Sequence, residues 1–276
     1  MIKINDKSYI DGCAYAELKQ AVKLRHSDRT FNGLPVAPHT LGSLRQAAAD
    51  ALKLWQANGV RIEFVTDSDC PPPAATYGFI RGAATYMVLV SSSTDRYDLM
   101  LGAAALETVV LYATRLGLAT CWIGGTLRRS DFAAFVKLQD GEQIQAVVPV
   151  GTADRPRLRD KVLMAVARSR SRKSASQLFF DTQVGMPLSE KSEFYLPLEY
   201  VRLAPSSSNS QPWRAIVYEA DRRLDLCSST DNNYSDLDMG IALAHLAAGI
   251  APRTLTVDRP ADSYPRLKSV AVCHAV

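Results

Sequence analysis

Two related stretches, DLMLGAA at 98–104 and DLDMGIA at 236–242, decide the fold of this chain. They share the pattern Asp-Leu-x-x-Gly-x-Ala, which begins at Asp98 in the first stretch and at Asp236 in the second. The first stretch lies in an apolar segment, Tyr97–Leu116, in which leucine, alanine and valine recur at helical spacing. The small side chains around Gly102 would let another backbone approach closely. The pattern therefore predicts a long apolar helix, and it relates one half of the chain to the other.

The elements around these helices also repeat in order. In each half, a turn of the form Gly-x-Pro-x precedes a predicted helix and then a predicted strand. These elements are Gly33–Val36, 40–56 and 61–66 in the first half, and Gly185–Leu188, 193–203 and 214–218 in the second. Further strands are predicted at 85–91 and 145–150. The common order favours an internal duplication, and the alternation of helix and strand favours an α+β or α/β class.

The composition excludes several classes of protein. Of 276 residues, 47% are hydrophobic and 22% are charged, as in globular proteins and unlike disordered chains. No run reaches the roughly 18 apolar residues of a membrane span, and Met1–Asp11 lacks the apolar centre of a secretory signal. The five cysteines form no C-x-x-C pair, which argues against a zinc site or disulfide framework. We therefore expect a cytoplasmic protein with no membrane partner and no metal.

The net charge of +4 is concentrated in one window, Arg155–Lys173. That window holds eight basic residues and one acid, so it carries +7 and the rest of the chain carries −3 (4 − 7). An RNA-binding patch would be expected to interleave base-stacking aromatic residues with the arginines. None occurs in this window, so a nucleic acid partner is disfavoured.

Three segments carry residues suited to a planar, phosphorylated ligand. APSSSNSQPW at 204–213 offers hydroxyl, amide and backbone donors between two prolines, although serine runs are often only flexible turns. RHSDR at 25–29 could bind phosphate through its guanidinium groups, or it could be a solvated helix end. GLATCWIGG at 117–125 ends in two glycines that allow backbone to approach a flat ring, although its Cys and Trp could be core residues.

Taken together, these three motifs resemble those of the FMN-dependent nitroreductase family. The resemblance implies a three-layer α/β/α fold and one FMN, with the phosphate at 25–29 and the isoalloxazine ring beside 117–125. In that family the serine loop comes from the partner subunit of an intertwined homodimer. A basic C-terminal motif completes the phosphate site, and Arg170 and Arg172 match it.

The order of the motifs departs from the ordinary family pattern, because the serine loop begins only at Ala204, far downstream of the basic motif. The duplication accounts for this departure. The first half has LKLWQANG at 52–59 in place of the serine loop, and the second has QLFFDTQ at 177–183 in place of the basic motif. The chain thus resembles a single-chain, duplicated branch of the nitroreductases, a pseudo-dimer with one composite FMN site. We expect halves at 1–165 and 166–276 that interlock around one core, and a monomer, with a homodimer possible.

The resemblance assigns cofactor contacts to the residues of the matched motifs. These are Arg25, His26, Ser27, Arg29, Cys121, Trp122, Ile123, Gly124, Gly125, Arg170, Arg172, Pro205, Ser206, Ser207 and Asn209. No catalytic side chain stands out: Glu107 is expected on a partly exposed helix edge, and lone histidines such as His245 are mostly structural.

The implied activity is a ping-pong reaction. NAD(P)H reduces the flavin and leaves, and a nitroaromatic, quinone or similar small planar acceptor then takes the electrons. Two alternatives stay open: a flavin-binding or sequestering protein without turnover, and a specialised flavin enzyme such as a dehalogenase or a flavin-consuming enzyme.

Overall fold

The computed structural model describes residues 1–66, 73–154, 171–232, 234–260, 264 and 267–276. Its helices are α1 (Leu18–Leu24), α2 (Pro38–Trp55), α3 (Arg96–Arg115), α4 (Arg129–Val136), α5 (Tyr195–Arg202) and α6 (Ser235–Ile250). Its strands are β1 (Ile2–Ile4), β2 (Tyr9–Ile10), β3 (Cys13–Ala14), β4 (Val60–Thr66), β5 (Thr85–Ser91), β6 (Ala119–Thr120), β7 (Gln143–Gly151), β8 (Phe179–Asp181), β9 (Trp213–Tyr218), β10 (Arg223–Ser228), β11 (Leu255–Asp258) and β12 (Lys268–Ala275). The predicted boundary between the halves, at 165/166, lies outside the described residues.

Two sets of four strands have the same order. One is the sheet β4-β5-β7-β6, and the other is β9-β10-β12-β11 within a six-stranded sheet. All neighbouring strands inside both sets pair antiparallel. In each set the long helix, α3 or α6, follows the second strand along the chain. Each half of the chain therefore has the same arrangement of sheet and long helix.

The six-stranded sheet is completed by strands from elsewhere in the chain. β8 adds parallel to β9, and β1, at the start of the chain, pairs antiparallel with β11 through Ile2 and Val257. The first strand of the chain thus lies in the sheet formed mainly by the last part of the chain.

The helices α3 and α6 pack against each other at the centre of the molecule. A side chain at Gly240 would collide with the carbonyl oxygen of Met100 and would place its Cβ 2.7 Å from that of Ala103. Gly102 lets strand β4 approach α3 closely, because a Cβ at this position would lie 2.5 Å from a methyl carbon of Val60 in β4. The small residues of the repeated motif therefore permit close packing of helix on helix and of helix on sheet.

The four-stranded sheet is covered by helices on both faces. Met87 and Leu89 of β5 belong to the same apolar cluster as α3, whereas Val88 of that strand packs in a second cluster with Phe132 of α4. Alternate residues of a strand point to opposite faces, so this sheet lies between two helical layers. Around it, the chain forms the mixed helix-and-sheet architecture that the sequence predicts.

Candidate functional site

One cavity lies where the two halves meet. Its walls come mainly from the segment after α1, the segment after β6, the connection from α5 to β9, and the first turns of α6, with a further contribution from the segment before β8. Most residues that the motifs assign to a cofactor lie on these walls: Arg25, Ser27, Arg29, Cys121, Trp122, Ile123, Gly124, Gly125, Arg172, Pro205, Ser206, Ser207 and Asn209. The fold therefore brings together segments as distant in sequence as those of Arg25 and Asn209.

Two predicted site residues are not placed on this cavity. Arg170 lies outside the described residues. His26 is exposed and is absent from the cavity walls in the described chain. The segment is extended, with Ser27 bridged to Thr120. Because side chains alternate along an extended backbone, Arg25 and Ser27 face the cavity while His26 faces solvent.

The basic segment is positioned by α1 and β6. Arg25 follows the last turn of α1 and donates its backbone N–H to the carbonyl of Ala21 at 2.8 Å. A few residues later the chain runs beside β6, where the backbone N–H of Asp28 donates to the carbonyl of Thr120 at 3.0 Å. This pairing places the basic motif directly next to the Cys121–Gly125 segment that continues from β6.

The cavity concentrates positive charge. Three guanidinium groups, those of Arg25, Arg29 and Arg172, line it together with one carboxyl group, that of Asp238, for a formal charge of +2 (3 − 1) when Asp238 is ionised. Burial lowers the pKa of the Arg172 guanidinium, and the charges of Arg25 and Arg202 lower it further. An anion bound in the cavity would relieve this repulsion.

Arg25 is suited to hold such an anion. Its side chain is 5% exposed, and its Nε has no hydrogen-bond partner in the described part of the chain. The nearest carboxylate oxygen, Oε1 of Glu107, lies 3.9 Å from that Nε. A buried donor without a partner is costly, so the arrangement favours a bound acceptor.

The serine loop between α5 and β9 has a strained backbone. Ser208, Asn209 and Gln211 have φ angles of 50°, 53° and 48°, in the left-handed region that costs non-glycine residues energy. Asp238 of α6 holds this loop, because one of its carboxyl oxygens accepts the Ser207 backbone N–H at 2.8 Å and the other accepts the Ser210 hydroxyl at 3.4 Å. The strain is therefore offset by contacts from outside the loop.

Residues 171–173, at the end of the basic window, are hydrogen-bonded to the serine loop and to the residue before it. Arg172 donates from Nη2 to the carbonyl of Leu203 at 3.1 Å, and Lys173 donates from Nζ to the carbonyl of Ser210 at 2.6 Å. Asn209 returns a hydrogen bond from Nδ2 to the carbonyl of Ser171 at 3.0 Å. These contacts bring the Arg172 guanidinium to the same cavity as the basic motif at 25–29.

Asp238 is a site residue that sequence reasoning missed. Burial raises the pKa of its carboxyl to about 7, even though the hydrogen bonds from Ser207 and Ser210 act in the opposite direction. A signal was available: the repeat places Asp238 at the position that Met100 holds in the first half, so an acid stands where the other copy has an apolar residue. The cavity thus contains a carboxyl that can hold a proton near neutral pH.

Tyr234 is a second missed residue. Its ring lies against Gly124 and Gly125, and a Cβ on Gly124 would stand 3.1 Å from the ring carbon Cε1. Leu237 and Ile241 continue this wall of the cavity with apolar side chains. The two glycines therefore make room for the Tyr234 ring, which forms this wall together with the apolar groups.

The prediction that Glu107 lies on a partly exposed helix edge is wrong, because its side chain is fully buried. The cause is tertiary: α3 packs against both α2 and α6, which leaves little of its surface to solvent. The indole N–H of Trp122 donates to Oε2 of Glu107 at 2.6 Å, and Oε1 lies 2.8 Å from Nε2 of His245, which is also fully buried. A buried carboxyl requires such partners.

The described residues do not meet the requirements of a reactive cysteine, a metal site or a membrane span. The four cysteines placed in the structure are buried and free, and burial raises the pKa of Cys121 in the cavity wall. No group of His, Cys, Asp and Glu in the described ranges is arranged to hold a metal ion. Within the same ranges, every helix is too short or too polar to cross a membrane.

Comparison with known proteins gives a family and a structural likeness over most of the chain. Residues 17–250 match the family described as "Putative TM nitroreductase". The fold is similar to a Thermotoga maritima protein described as a "putative nitroreductase", with 15% identity, a TM-score of 0.58, and coverage of 93% of this chain and 92% of that one. No curated protein sequence matches significantly.

Shorter solved structures match about half of the chain. A Bacteroides fragilis nitroreductase with bound FMN is 18% identical, with a TM-score of 0.42, over 51% of this chain and 91% of its own. An FMN-dependent nitroreductase from Clostridium difficile is 17% identical, with a TM-score of 0.43, over 50% of this chain and 88% of its own.

Proposed function

Because the chain belongs to the nitroreductase family that matches residues 17–250, and thus to the oxidoreductases, we propose that it is an FMN-dependent NAD(P)H oxidoreductase. In the proposed reaction, reduced nicotinamide delivers electrons to the flavin and leaves. A nitroaromatic, quinone or similar planar acceptor then takes them in the same pocket. The flavin supplies the redox chemistry, and the protein supplies binding, orientation and electrostatics.

The observation that carries this proposal is the convergence of Arg25, Arg29 and Arg172 on one cavity. A phosphate monoester carries roughly −1.5 to −2 charges at neutral pH, which complements the formal +2 of the cavity walls. Planar guanidinium groups match phosphate oxygens through paired N–H donors. These three arginines, with the Ser27 hydroxyl, would hold the FMN phosphate.

The remaining walls suit the ring system of the same cofactor. Gly124 and Gly125 allow close approach of backbone, and Leu237 and Ile241 give that part of the cavity apolar side chains. The Asn209 side chain and the hydroxyls of Ser206 and Ser207 offer polar groups from the serine loop. The pKa of the Asp238 carboxyl is raised to about 7, so this group would be able to take up or release a proton beside the acceptor near neutral pH.

The site would be composite and single. The repeated strand order and the repeated helix motif support an origin by duplication, with the serine loop supplied by the second half as a partner subunit would supply it. A monomer then contains every group that the site needs. We therefore expect the purified protein to bind FMN as a monomer in gel filtration, and further dimerisation would leave the site unchanged.

The test is the visible spectrum of the purified protein, followed by steady-state oxidation of NADH and NADPH with a nitroaromatic and a quinone. A yellow protein that oxidises a nicotinamide only when an acceptor is present supports the proposal. A protein that binds FMN tightly but is inert to both nicotinamides and all acceptors would instead be a flavin-sequestering protein. A colourless protein that takes up no added FMN would refute flavin dependence altogether.

A further inference from the structure

A buried pair of titratable residues joins the two halves of the molecule outside the cavity. The repeat that aligns Asp236 with Asp98 also aligns His245 with Glu107, so this pair occupies equivalent positions on α6 and α3. Both residues are fully buried, and the carboxylate Oε1 lies 2.8 Å from the imidazole Nε2. The two halves therefore meet through one pair of equivalent positions that carries an acid on one side and an imidazole on the other.

The partners of this pair fix its hydrogen bonding. The backbone carbonyl of Tyr200, 3.0 Å from Nδ1 of His245, can only accept, so Nδ1 donates. The indole of Trp122 can only donate, so Oε2 of Glu107 accepts. One proton remains between Nε2 and Oε1, held by either atom. In both arrangements all four polar atoms of the two side chains have partners.

Each partner leads to a different wall of the cavity. Trp122 lines the cavity within the Cys121–Gly125 segment, here called the Gly-Gly segment. Arg25, whose Nε is 3.9 Å from Glu107, lines the cavity within the basic motif at 25–29. Tyr200 lies in α5, the helix that leads into the serine loop. The Glu107–His245 pair is thus bonded to, or in ionic contact with, three segments that the cavity brings together.

We propose that Glu107 and His245 are positioning residues that hold the basic motif, the Gly-Gly segment and the serine-loop helix in the arrangement that binds the cofactor. This inference rests on the proposed FMN site. It assigns no proton transfer to the pair. Its role is to set the orientation of Trp122 and Arg25 against α5.

Three variants separate positioning from simple stability. Glu107→Leu leaves the Trp122 N–H and one His245 nitrogen buried without partners, so it should weaken both folding and FMN binding. The double variant Glu107→Leu, His245→Leu also removes the unpartnered imidazole nitrogen but still leaves the Trp122 N–H without its acceptor, so it should restore part of the stability and none of the orientation. Glu107→Gln keeps an oxygen for Trp122 and an N–H for His245, so it should restore both properties. Thr114→Val, on the same helix, is the matched control.

The readouts are thermal unfolding, FMN affinity by fluorescence quenching, and the indole N–H signals of ¹⁵N-tryptophan-labelled protein without FMN. The three tryptophans have distinct environments: Trp122 donates to a carboxylate, Trp55 donates to the Thr108 hydroxyl, and the Trp213 N–H has no partner in the described chain. Loss of the carboxylate should shift the Trp122 signal, while the Trp213 signal stays in place.

We expect the double variant to melt closer to the wild type than Glu107→Leu does, yet to bind FMN at least about tenfold more weakly than wild type. Glu107→Gln should lie within about threefold of wild-type affinity. A double variant with wild-type FMN affinity, or an unchanged Trp122 signal in Glu107→Leu, would overturn the inference. If the wild type binds no FMN, the proposed function fails, while the indole signals still decide whether the pair orients Trp122.

Discussion

The connection from α2 to β4 and the connection from α5 to β9 occupy the same place in the repeated topology, but they differ in length and chemistry. The first covers positions 56–59 and the second, more than twice as long, covers 203–212. The first follows Trp55, which is fully buried and donates its indole N–H to the Thr108 hydroxyl. The second contains the serines and Asn209 that line the cavity.

The difference shows how two connections at the same place in a repeated strand order can take different parts in the structure. A short turn behind a buried tryptophan contributes core packing and leaves few polar groups to face a ligand. A longer loop with left-handed residues presents hydroxyls, but it needs support from other elements, here from Asp238, Arg172 and Lys173. The shorter connection thus belongs to the core, whereas the longer one lines the cavity.

The largest effect should come from Trp55→Ala at the short connection. The change opens a cavity in the core and removes the indole hydrogen bond, so we expect it to lower the free energy of unfolding by about 5 kcal/mol. Urea denaturation measures this loss. Any protein that stays folded at low temperature should bind FMN as the wild type does, because Trp55 is not part of the cavity wall. A large loss of affinity in folded protein would break the contrast between the two connections.

The next effect is a pH-dependent change in the free energy of unfolding, caused by Asp238, which supports the long connection. The pKa of Asp238 is raised to about 7, so the folded protein keeps a proton that the unfolded chain releases above about pH 4. The stability that this group contributes is complete below about pH 4 and is lost as the pH rises through 7. Asp238→Asn cannot ionise and still offers an oxygen to the Ser207 N–H.

Urea denaturation of both proteins without FMN, at intervals from about pH 4 to about pH 8, tests this expectation. The stability of Asp238→Asn relative to wild type should rise across that range by up to about 4 kcal/mol. Asp221→Asn, at an exposed turn after β9, serves as the control and should show no such trend. A constant difference between Asp238→Asn and wild type would mean that Asp238 is ionised throughout.

A smaller effect tests whether the two halves share one ligand. Arg25→Ala removes a buried guanidinium, and we expect FMN to bind about a hundredfold more weakly. Asn209→Ala removes one neutral side chain of the serine loop, and we expect about a tenfold loss. Fluorescence titration with FMN measures both. The exposed Arg115, which pairs with Glu17 away from the cavity, provides the control Arg115→Ala.

These two substitutions lie in different halves of the chain, yet both positions line the same cavity. If only one of them weakens FMN binding, the composite site loses its main support. If Arg115→Ala weakens binding as much as Arg25→Ala, the effect reflects the overall charge of the protein.

Much of the fold could be predicted from local patterns. The helix predicted at 97–116 is Arg96–Arg115, and the strand predicted at 85–91 has those bounds, because apolar periodicity is a local property of the sequence. The strand β10 is different, because the alternation of Arg223 and Asp225 with leucines is typical of a strand with one face in solvent, whereas both faces of β10 are buried. In the structure Asp225 is fully buried and accepts hydrogen bonds from Arg223, a neighbour on the same strand, and from the distant Tyr264.

The sequence alone was enough to select segments that line the cavity, since the motifs at 25–29, 117–125 and 204–213 are runs of residue types suited to phosphate and a flat ring. It also determined that the chain repeats an arrangement of helix and strand. Only the tertiary structure decided that Glu107 is buried against His245, that Asp238 faces the cavity, and that β1 pairs with β11. Burial and long-range pairing depend on which elements pack together, and no local pattern of residues specifies that.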